Sequence, residues 1–525
     1  MRTMAIAMLG MLGCGDDPDP LEITVDTGVL HGIEQGETRA FLGIPFAAPP
    51  VGDLRFKPPQ PPLPWSGVRD AIETGLQCPQ TFSLSGSGGD EDCLFLNVWA
   101  PKAGAANKPV MVWLHGGAFV FGSGGEPYYA GRHLAETRDI VVVTINYRLG
   151  VLGFLAHPAF AAEDPAYPSS GNWGLDDQLA ALHWVQRNIE HFGGDKTRVT
   201  LFGESAGGFS TCVHYLSPRS AGLFHAAISE SGLCGSMLTE PSKAAAEADG
   251  VATATSLGCT GTGAAAAACL RSKTADQLLA ATALPPIMQQ PHGGPFYGTG
   301  NFLATLPNVD GFVIAKPLRQ LFAEGNFEPR PLLLGANRDE GTIFHSSLFA
   351  LEVTDETEYR EALTRRFGAA NVDAIVAQYP VASYSSANRA LAEVTGDAFF
   401  VCSARRAARG AAAAGAPVYA YSFQRELATT FMQGLGVFHI AEVPFVFGTE
   451  SAFPLGRIGD AGQPVADAVQ GYWTRFAASG DPNGDGATEW PTYTGGRHLV
   501  LDASMTAGTA YKAAVCDFWD ALVVP

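Results

Sequence analysis

The chain consists of segments with two different hydrophobic periods. Apolar and polar residues alternate over 23–33 and 39–46, as in half-buried strands. Continuous apolar runs typical of buried strands occupy 94–99, 109–115, 140–147, 198–203, 331–337 and 418–423. Over 174–191 the period changes to that of a helix, with a stripe formed by Leu175, Leu179, Leu182, Val185 and Ile189. Strands that alternate with helices predict a mostly parallel sheet with helices on both faces.

The irregular segments do not divide the chain. A proline-rich run over 49–64 is extended or turning rather than helical. Alanine-rich stretches over 244–268 and 411–415 are typical of helix surface or loop. Because we find no internal repeat and no long linker, we expect a single large domain over 21–525.

Composition indicates a globular protein with a large core. Hydrophobic residues make up 46% and charged residues 16% of the 525 positions, which is not the composition of a disordered chain. The formal net charge is -19, so nucleic acid is excluded as a partner because its phosphates would be repelled. The acidic balance otherwise indicates a solvated surface.

The N-terminal residues predict export. Met1-Arg2-Thr3 precedes an apolar stretch that is too short for a membrane span and typical of a signal peptide. The stretch ends at Gly13-Cys14, which is similar to a bacterial lipobox. We therefore expect a signal peptide over 1–14, lipidation of Cys14 and a short tether over 15–20. The protein would then be a periplasmic or cell-surface lipoprotein of a bacterium, or a secreted protein.

The most specific motif predicts a nucleophilic serine. A strand-like run leads into Gly203-Glu204-Ser205-Ala206-Gly207-Gly208, and a helix of small residues follows. The G-x-S-x-G pattern permits a tight strand-to-helix turn that lifts the hydroxyl of Ser205 free of the sheet. A serine needs a base to take its proton and donors to stabilise the oxyanion that forms on attack.

The glycine-rich turn His115-Gly116-Gly117-Ala118 follows an earlier strand and can supply those donors. Small residues let backbone N–H groups face a substrate oxygen. We assign the oxyanion hole to the N–H groups of Gly117, Ala118 and Ala206.

Three histidines lie late enough in the chain to be the base, because the order in this kind of site is serine, acid, histidine. We expect His498 to be solvated at the mouth of a short strand, and His345 to lie at the surface or in a supporting position. His439 precedes the apolar run Val443–Phe447, where an imidazole needs a partner that an active site provides. His439 is therefore the predicted base.

The acid is expected at the end of the strand over 331–337. Carboxylates at the carboxyl ends of strands are where α/β sheets gather catalytic groups. Asp339 and Glu340 both follow this strand, and spacing alone does not choose between them.

These motifs closely resemble the type-B carboxylesterase family, which includes the cholinesterases. The resemblance covers about 23–519, and its most specific pieces are 91–98, 202–208, 337–341 and 439–448. It implies an α/β-hydrolase fold, cofactor-free and metal-free hydrolysis of carboxylic esters through an acyl-enzyme, and Glu340 rather than Asp339 as the acid. One departure is Ile440, where many animal members have glycine, and we expect it to change the local backbone.

The resemblance also implies disulfides. It pairs Cys78 with Cys93, Cys259 with Cys269, and Cys402 with Cys516. Cys212 and Cys234 remain, and they form a fourth bridge or stay buried thiols. The nine cysteines become an even number once Cys14 is set aside, which suits an oxidising compartment.

The loop between Cys78 and Cys93 bears on the substrate. Cholinesterases carry a tryptophan in a longer loop here, which binds a quaternary ammonium; this loop has none. We therefore do not expect choline esters as substrates. The resemblance to bacterial members of the family implies esters of small to medium acyl chains. The alternatives are a non-catalytic binding protein that kept the fold, or the same residues acting on amides, thioesters or specialised esters.

Ser231 and Glu204 are either supporting residues of the site or ordinary polar positions.

Overall fold

A computed structural model describes residues 19–82, 86–102, 104–236, 240–282, 306–484 and 486–523. The strands are β1 (Glu22–Val25), β2 (Gly28–His31), β3 (Ile33–Gln35), β4 (Thr38–Pro45), β5 (Val68–Asp70), β6 (Phe95–Pro101), β7 (Lys108–Leu114), β8 (Val141–Ile145), β9 (Gly194–Glu204), β10 (Ala226–Glu230), β11 (Leu332–Asn337), β12 (Val418–Phe423), β13 (Thr429–Thr430), β14 (Gly456–Arg457), β15 (His498–Leu501) and β16 (Thr506–Gly508).

The α-helices are α1 (Arg132–Arg138), α2 (Gly150–Phe154), α3 (Pro158–Ala161), α4 (Trp173–Asn188), α5 (Ala206–Leu216), α6 (Lys243–Ser256), α7 (Ala264–Ser272), α8 (Ala275–Thr282), α9 (Leu318–Glu324), α10 (Glu356–Phe367), α11 (Ala369–Gln378), α12 (Ala387–Thr395), α13 (Cys402–Ala413), α14 (Val443–Phe447), α15 (Gln463–Ser479) and α16 (Ala513–Ala521). A π-helical segment, Gly396–Val401, joins α12 to α13. Among the described residues, no helix combines the length and hydropathy needed to cross a membrane.

A mixed sheet of 11 strands organises the molecule, in the order β16-β15-β12-β11-β10-β9-β7-β8-β6-β4-β3. The strands from β8 to β15 pair in parallel, and antiparallel pairs occur only towards the two edges of this sheet. The predicted mostly parallel sheet is therefore confirmed. The run over 23–33 is divided, because β1, β2 and β5 form a separate small sheet with β2 in the middle.

Alternate residues of the central strands pack on opposite faces of the sheet. In β7, Val110, Val112 and Leu114 pack in the same hydrophobic cluster as α4, α5 and α13. Met111 and Trp113 pack in a second cluster with α1, α14 and α15. Because side chains alternate along a strand, a strand covered on both faces must be apolar at nearly every position. This is why the continuous apolar runs mark the central strands.

Candidate active site

Ser205 occupies the turn between β9 and α5, at the carboxyl end of the parallel sheet. Its backbone has φ 57° and ψ -119°, a conformation that few residues with a side chain adopt. Gly207 permits the turn, because a Cβ atom there would lie 1.9 Å from the carbonyl oxygen of Leu114. Ser205 is partly exposed while its neighbours on both sides are buried. The turn therefore presents the hydroxyl at the edge of the sheet.

The glycine-rich loop after β7 presents backbone donors. Gly117 has φ 106° and Ala118 has φ 52°, and successive N–H groups in such conformations form concave anion sites. In the described part of the chain, no protein acceptor takes the N–H of Gly117 or Ala118. Ala206 is the first residue of α5, so its N–H has no partner within the helix. All three predicted oxyanion donors are thus available.

His439 and Glu340 are in direct contact. The distance from His439 Nδ1 to Glu340 Oε2 is 2.6 Å, and the two residues are 6% and 0% exposed. Asp339 is engaged elsewhere, since its carboxylate accepts hydrogen bonds from the N–H of Val437 and from Arg338 and Arg389. The geometry therefore pairs the histidine with Glu340 and not with its neighbour.

The two other late histidines lie apart from this pair. The expectation that His498 is solvated was wrong, and of the two alternatives for His345 the surface position is excluded. His345 is buried, and its Nε2 lies 2.7 Å from Thr395 Oγ1; burial lowers its pKa to about 3. His498 is also buried, because it begins β15, packs against Gly508 and lies beside the ring of Tyr511. β15 lies between β16 and β12 in the sheet, so its first side chain is covered, which the glycine-rich sequence before it did not indicate.

Glu204 completes the surroundings of the imidazole. Its Oε1 lies 3.0 Å from His439 Nε2, although the two atoms are not aligned for a hydrogen bond. Burial raises the pKa of Glu204 to about 8. Burial opposes the charged form of His439, but Glu204 and Glu340 outweigh it and raise the pKa of the imidazole to about 9. Both groups of this coupled pair thus hold a proton more tightly than usual.

A further layer of polar groups fixes the acid. Ser231 Oγ lies 2.6 Å from Glu340 Oε1 and 3.1 Å from Glu442 Oε1, and the N–H of Asn337 donates to Glu340 Oε1 at 2.7 Å. Burial, with the nearby charge of Glu340, raises the pKa of Glu442 to about 7. Sequence reasoning missed Asn337 and Glu442. A lone carboxylate just before the apolar run Val443–Phe447 was the available signal for the second.

The residue after the histidine keeps a glycine-like backbone without being glycine. Ile440 has φ 74°, in the left-handed region that costs a residue with a Cβ about 1–2 kcal/mol. The chain thus bends directly after His439 and leads into α14.

Aromatic rings line the apolar side of the imidazole. The centroids of Phe400 and Phe344 lie 4.7 Å and 5.0 Å from that of His439. Phe400 belongs to the π-helical segment Gly396–Val401, and π-helical turns occur often at functional sites. Farther out, Phe82 of the loop after Cys78 contacts the ring of Phe121 at 5.1 Å. These rings suit an apolar substrate group.

The structure contains four disulfides: Cys78–Cys93, Cys212–Cys234, Cys259–Cys269 and Cys402–Cys516. The open question about Cys212 and Cys234 is therefore answered by a bond between them. Four disulfides indicate an extracellular or secreted protein, because such bonds persist in oxidising compartments.

Comparison with known proteins identifies the family of this chain. A model described as the carboxylesterase family matches residues 19–519. Fumonisin B1 esterase of Sphingopyxis macrogoltabida is 38% identical over 515 residues, covering 93% of this chain and 89% of that protein. Liver carboxylesterase of Sus scrofa is 36% identical over 531 residues, covering 94% of this chain and 90% of that protein. A solved structure of a PNB esterase superposes with a TM-score of 0.81 at 33% identity, covering 95% of this chain and 100% of the other.

The fold is thus the α/β-hydrolase fold, and the chain belongs to the carboxylesterase family. It is a serine carboxylesterase, an enzyme that hydrolyses carboxylic esters of small molecules.

Proposed function

We propose that Ser205, His439 and Glu340 form the catalytic triad of this esterase. The observation that carries the proposal is the position of His439. Its Nδ1 contacts Glu340, and its Nε2 lies 3.0 Å from Glu204, the residue next to Ser205 in the chain. The nitrogen that must accept the proton therefore faces the turn that holds the serine.

The reaction passes through an acyl-enzyme. Ser205 Oγ attacks the ester carbonyl carbon while His439 Nε2 accepts the hydroxyl proton. The N–H groups of Gly117, Ala118 and Ala206 donate to the oxyanion. Collapse of the intermediate releases the alcohol, which takes the proton from the imidazolium. Water then repeats the two steps on the acyl group and releases the acid.

We expect Glu340 to act on the base rather than on the substrate. A carboxylate that accepts from Nδ1–H fixes the tautomer in which Nε2 is the acceptor, and it stabilises the imidazolium. Glu340 is fully buried and receives further hydrogen bonds from the groups around it, so its position is fixed before substrate arrives.

The proposed substrates are uncharged esters with small to medium acyl chains. The phenylalanine rings beside His439 support an apolar acyl or alcohol group. The loop between Cys78 and Cys93 has no tryptophan to bind a quaternary ammonium, which argues against choline esters.

The test is hydrolysis of p-nitrophenyl acetate, butyrate and octanoate by the wild type and by Ser205→Ala. The matched control is Ser217→Ala, which changes a serine at the other end of α5. We expect Ser205→Ala to lose nearly all activity and its reaction with a fluorophosphonate, with the control retaining both. Equal activity in the wild type and Ser205→Ala would contradict the mechanism, and the order of the three rates measures the acyl preference.

We further propose export as a lipoprotein, with a signal peptide over 1–14, lipidated Cys14, a tether over 15–20 and one domain over 21–525. Residues 1–18 lie outside the described residues, so the support is the sequence pattern alone. Mass spectrometry of the mature N-terminus tests this. A diacylated Cys14 is expected, and an unprocessed Met1 would contradict it.

A further inference from the structure

The disulfide Cys212–Cys234 joins two segments that both belong to the proposed active site. Cys212 lies on α5, the helix that begins directly after Ser205. Cys234 lies in the turn after β10, three residues beyond Ser231. Both cysteines are buried, at 0% and 1% exposure. The bond is thus a covalent link between the helix of the nucleophile and the turn that supports the acid.

The two segments pack backbone against backbone. The N–H of Ser205 donates to the carbonyl oxygen of Glu230 at 2.9 Å, and Ser229 Oγ donates to the carbonyl oxygen of Gly208 at 3.0 Å. A Cβ atom on Gly232 would lie 2.7 Å from the carbonyl carbon of Gly208. No side chain fits at Gly232, so the two backbones are in direct contact there, and hydrogen bonds and the disulfide join the segments.

The turn after β10 is linked to His439 through a chain of hydrogen-bond contacts. Ser231 contacts Glu340 Oε1 at 2.6 Å, and Glu340 Oε2 contacts His439 Nδ1 at 2.6 Å. A shift of this turn relative to α5 would therefore move the acid and the imidazole relative to Ser205. Catalysis is sensitive to such movement, since a displacement of about 1 Å can cost about 100-fold in rate.

We propose that Cys212–Cys234 is a positioning element of the catalytic site, which fixes the separation between the helix of Ser205 and the support of Glu340. This inference rests on the proposed roles of those residues. It assigns to the bond an effect on the chemical step in addition to its effect on stability.

The chain offers a matched control. Cys259–Cys269 closes a loop between α6 and α7. Cys259 packs in a separate cluster with Phe56, Val151 and Leu270, which contains none of the proposed catalytic residues. Removing this bond changes stability without touching either segment of the site.

The experiment compares Cys212→Ala/Cys234→Ala with Cys259→Ala/Cys269→Ala, using the full chain exported to an oxidising compartment. We expect the first variant to lose at least about tenfold in kcat for p-nitrophenyl butyrate, with little change in KM, and to react more slowly with a fluorophosphonate. The control is expected to keep both rates and to show only a lower Tm. Cys212→Val/Cys234→Ala restores part of the buried volume and replaces the first variant if that one does not fold.

The inference is overturned if removal of Cys212–Cys234 lowers Tm, as in the control, while kcat and the labelling rate stay at wild-type values. Failure of the proposed function has a different signature. In that case the fluorophosphonate would not label Ser205 in the wild type at all.

Discussion

Replacing Glu204 with glutamine tests the electrostatics of the site. The change keeps the size of the side chain and removes its charge. Two full charges 3.0 Å apart, the separation of Glu204 Oε1 and His439 Nε2, attract by about 5–6 kcal/mol at an effective dielectric constant of about 20. Burial raises the pKa of Glu204 to about 8, so this carboxylate carries most of its charge at the pH near 9 where His439 titrates. We therefore expect a fall of roughly one unit or more in the pKa of His439, within the range of about 1–3 units for a close opposite charge.

The sign of the effect on activity follows from the role of the base. His439 must be unprotonated to accept the proton of Ser205, so kcat/KM rises as pH increases through the pKa of the free imidazole. Glu204→Gln removes negative charge, lowers that pKa and shifts the acid limb of the profile to lower pH. It also destabilises the imidazolium in the transition state, so the plateau rate falls by up to about tenfold for each unit of pKa.

The assay is kcat/KM for p-nitrophenyl butyrate across the pH range in which the enzyme stays folded, corrected for spontaneous hydrolysis. Glu190→Gln is the control, because this glutamate forms a solvent-exposed ion pair with Lys196. Its acid limb should coincide with that of the wild type. If Glu204→Gln leaves the acid limb in place or moves it to higher pH, then Glu204 does not raise the pKa of the base and the electrostatic reasoning is wrong.

Two further predictions concern the support of the site. Ser231→Ala removes a donor from Glu340 Oε1 and leaves a buried carboxylate short of a hydrogen bond. We expect unfolding free energy to fall by about 1–3 kcal/mol and kcat to fall more than KM changes; wild-type kcat in a folded variant would contradict the assigned support. Gly207→Ala places a Cβ atom 1.9 Å from the carbonyl oxygen of Leu114, so this variant should be destabilised by about 3 kcal/mol or more in denaturant unfolding. Gly263→Ala, where a Cβ meets nothing within 4 Å, should cost only about 0.5–1 kcal/mol, because Gly263 is the N-cap of α7 and alanine caps a helix less well than glycine.

Local rules explain what the sequence determined by itself. A strand buried on both faces must be apolar throughout, so β7, β9, β11 and β12 were recognisable as continuous runs. The turn at Ser205 was recognisable because its tight geometry demands glycine at fixed positions. The glycine-rich loop with Gly117 and Ala118 was found for the same reason. Each of these features depends on residues close together in the chain.

Tertiary structure decided the features that depend on where distant segments meet. His439 and Glu340 are 99 residues apart in sequence, so spacing alone did not choose between Asp339 and Glu340 as the acid. In the folded chain the carboxylate of Asp339 binds other partners, and Glu340 contacts the histidine. Packing also buried His345, for which the sequence had left both a surface and a supporting position open. Tertiary packing also placed Glu442 next to Glu340, and it brought Cys212 and Cys234 close enough to form a disulfide. Local pattern fixes which chemical groups are present and which turns hold them, whereas burial and contact between remote segments fix which groups act together.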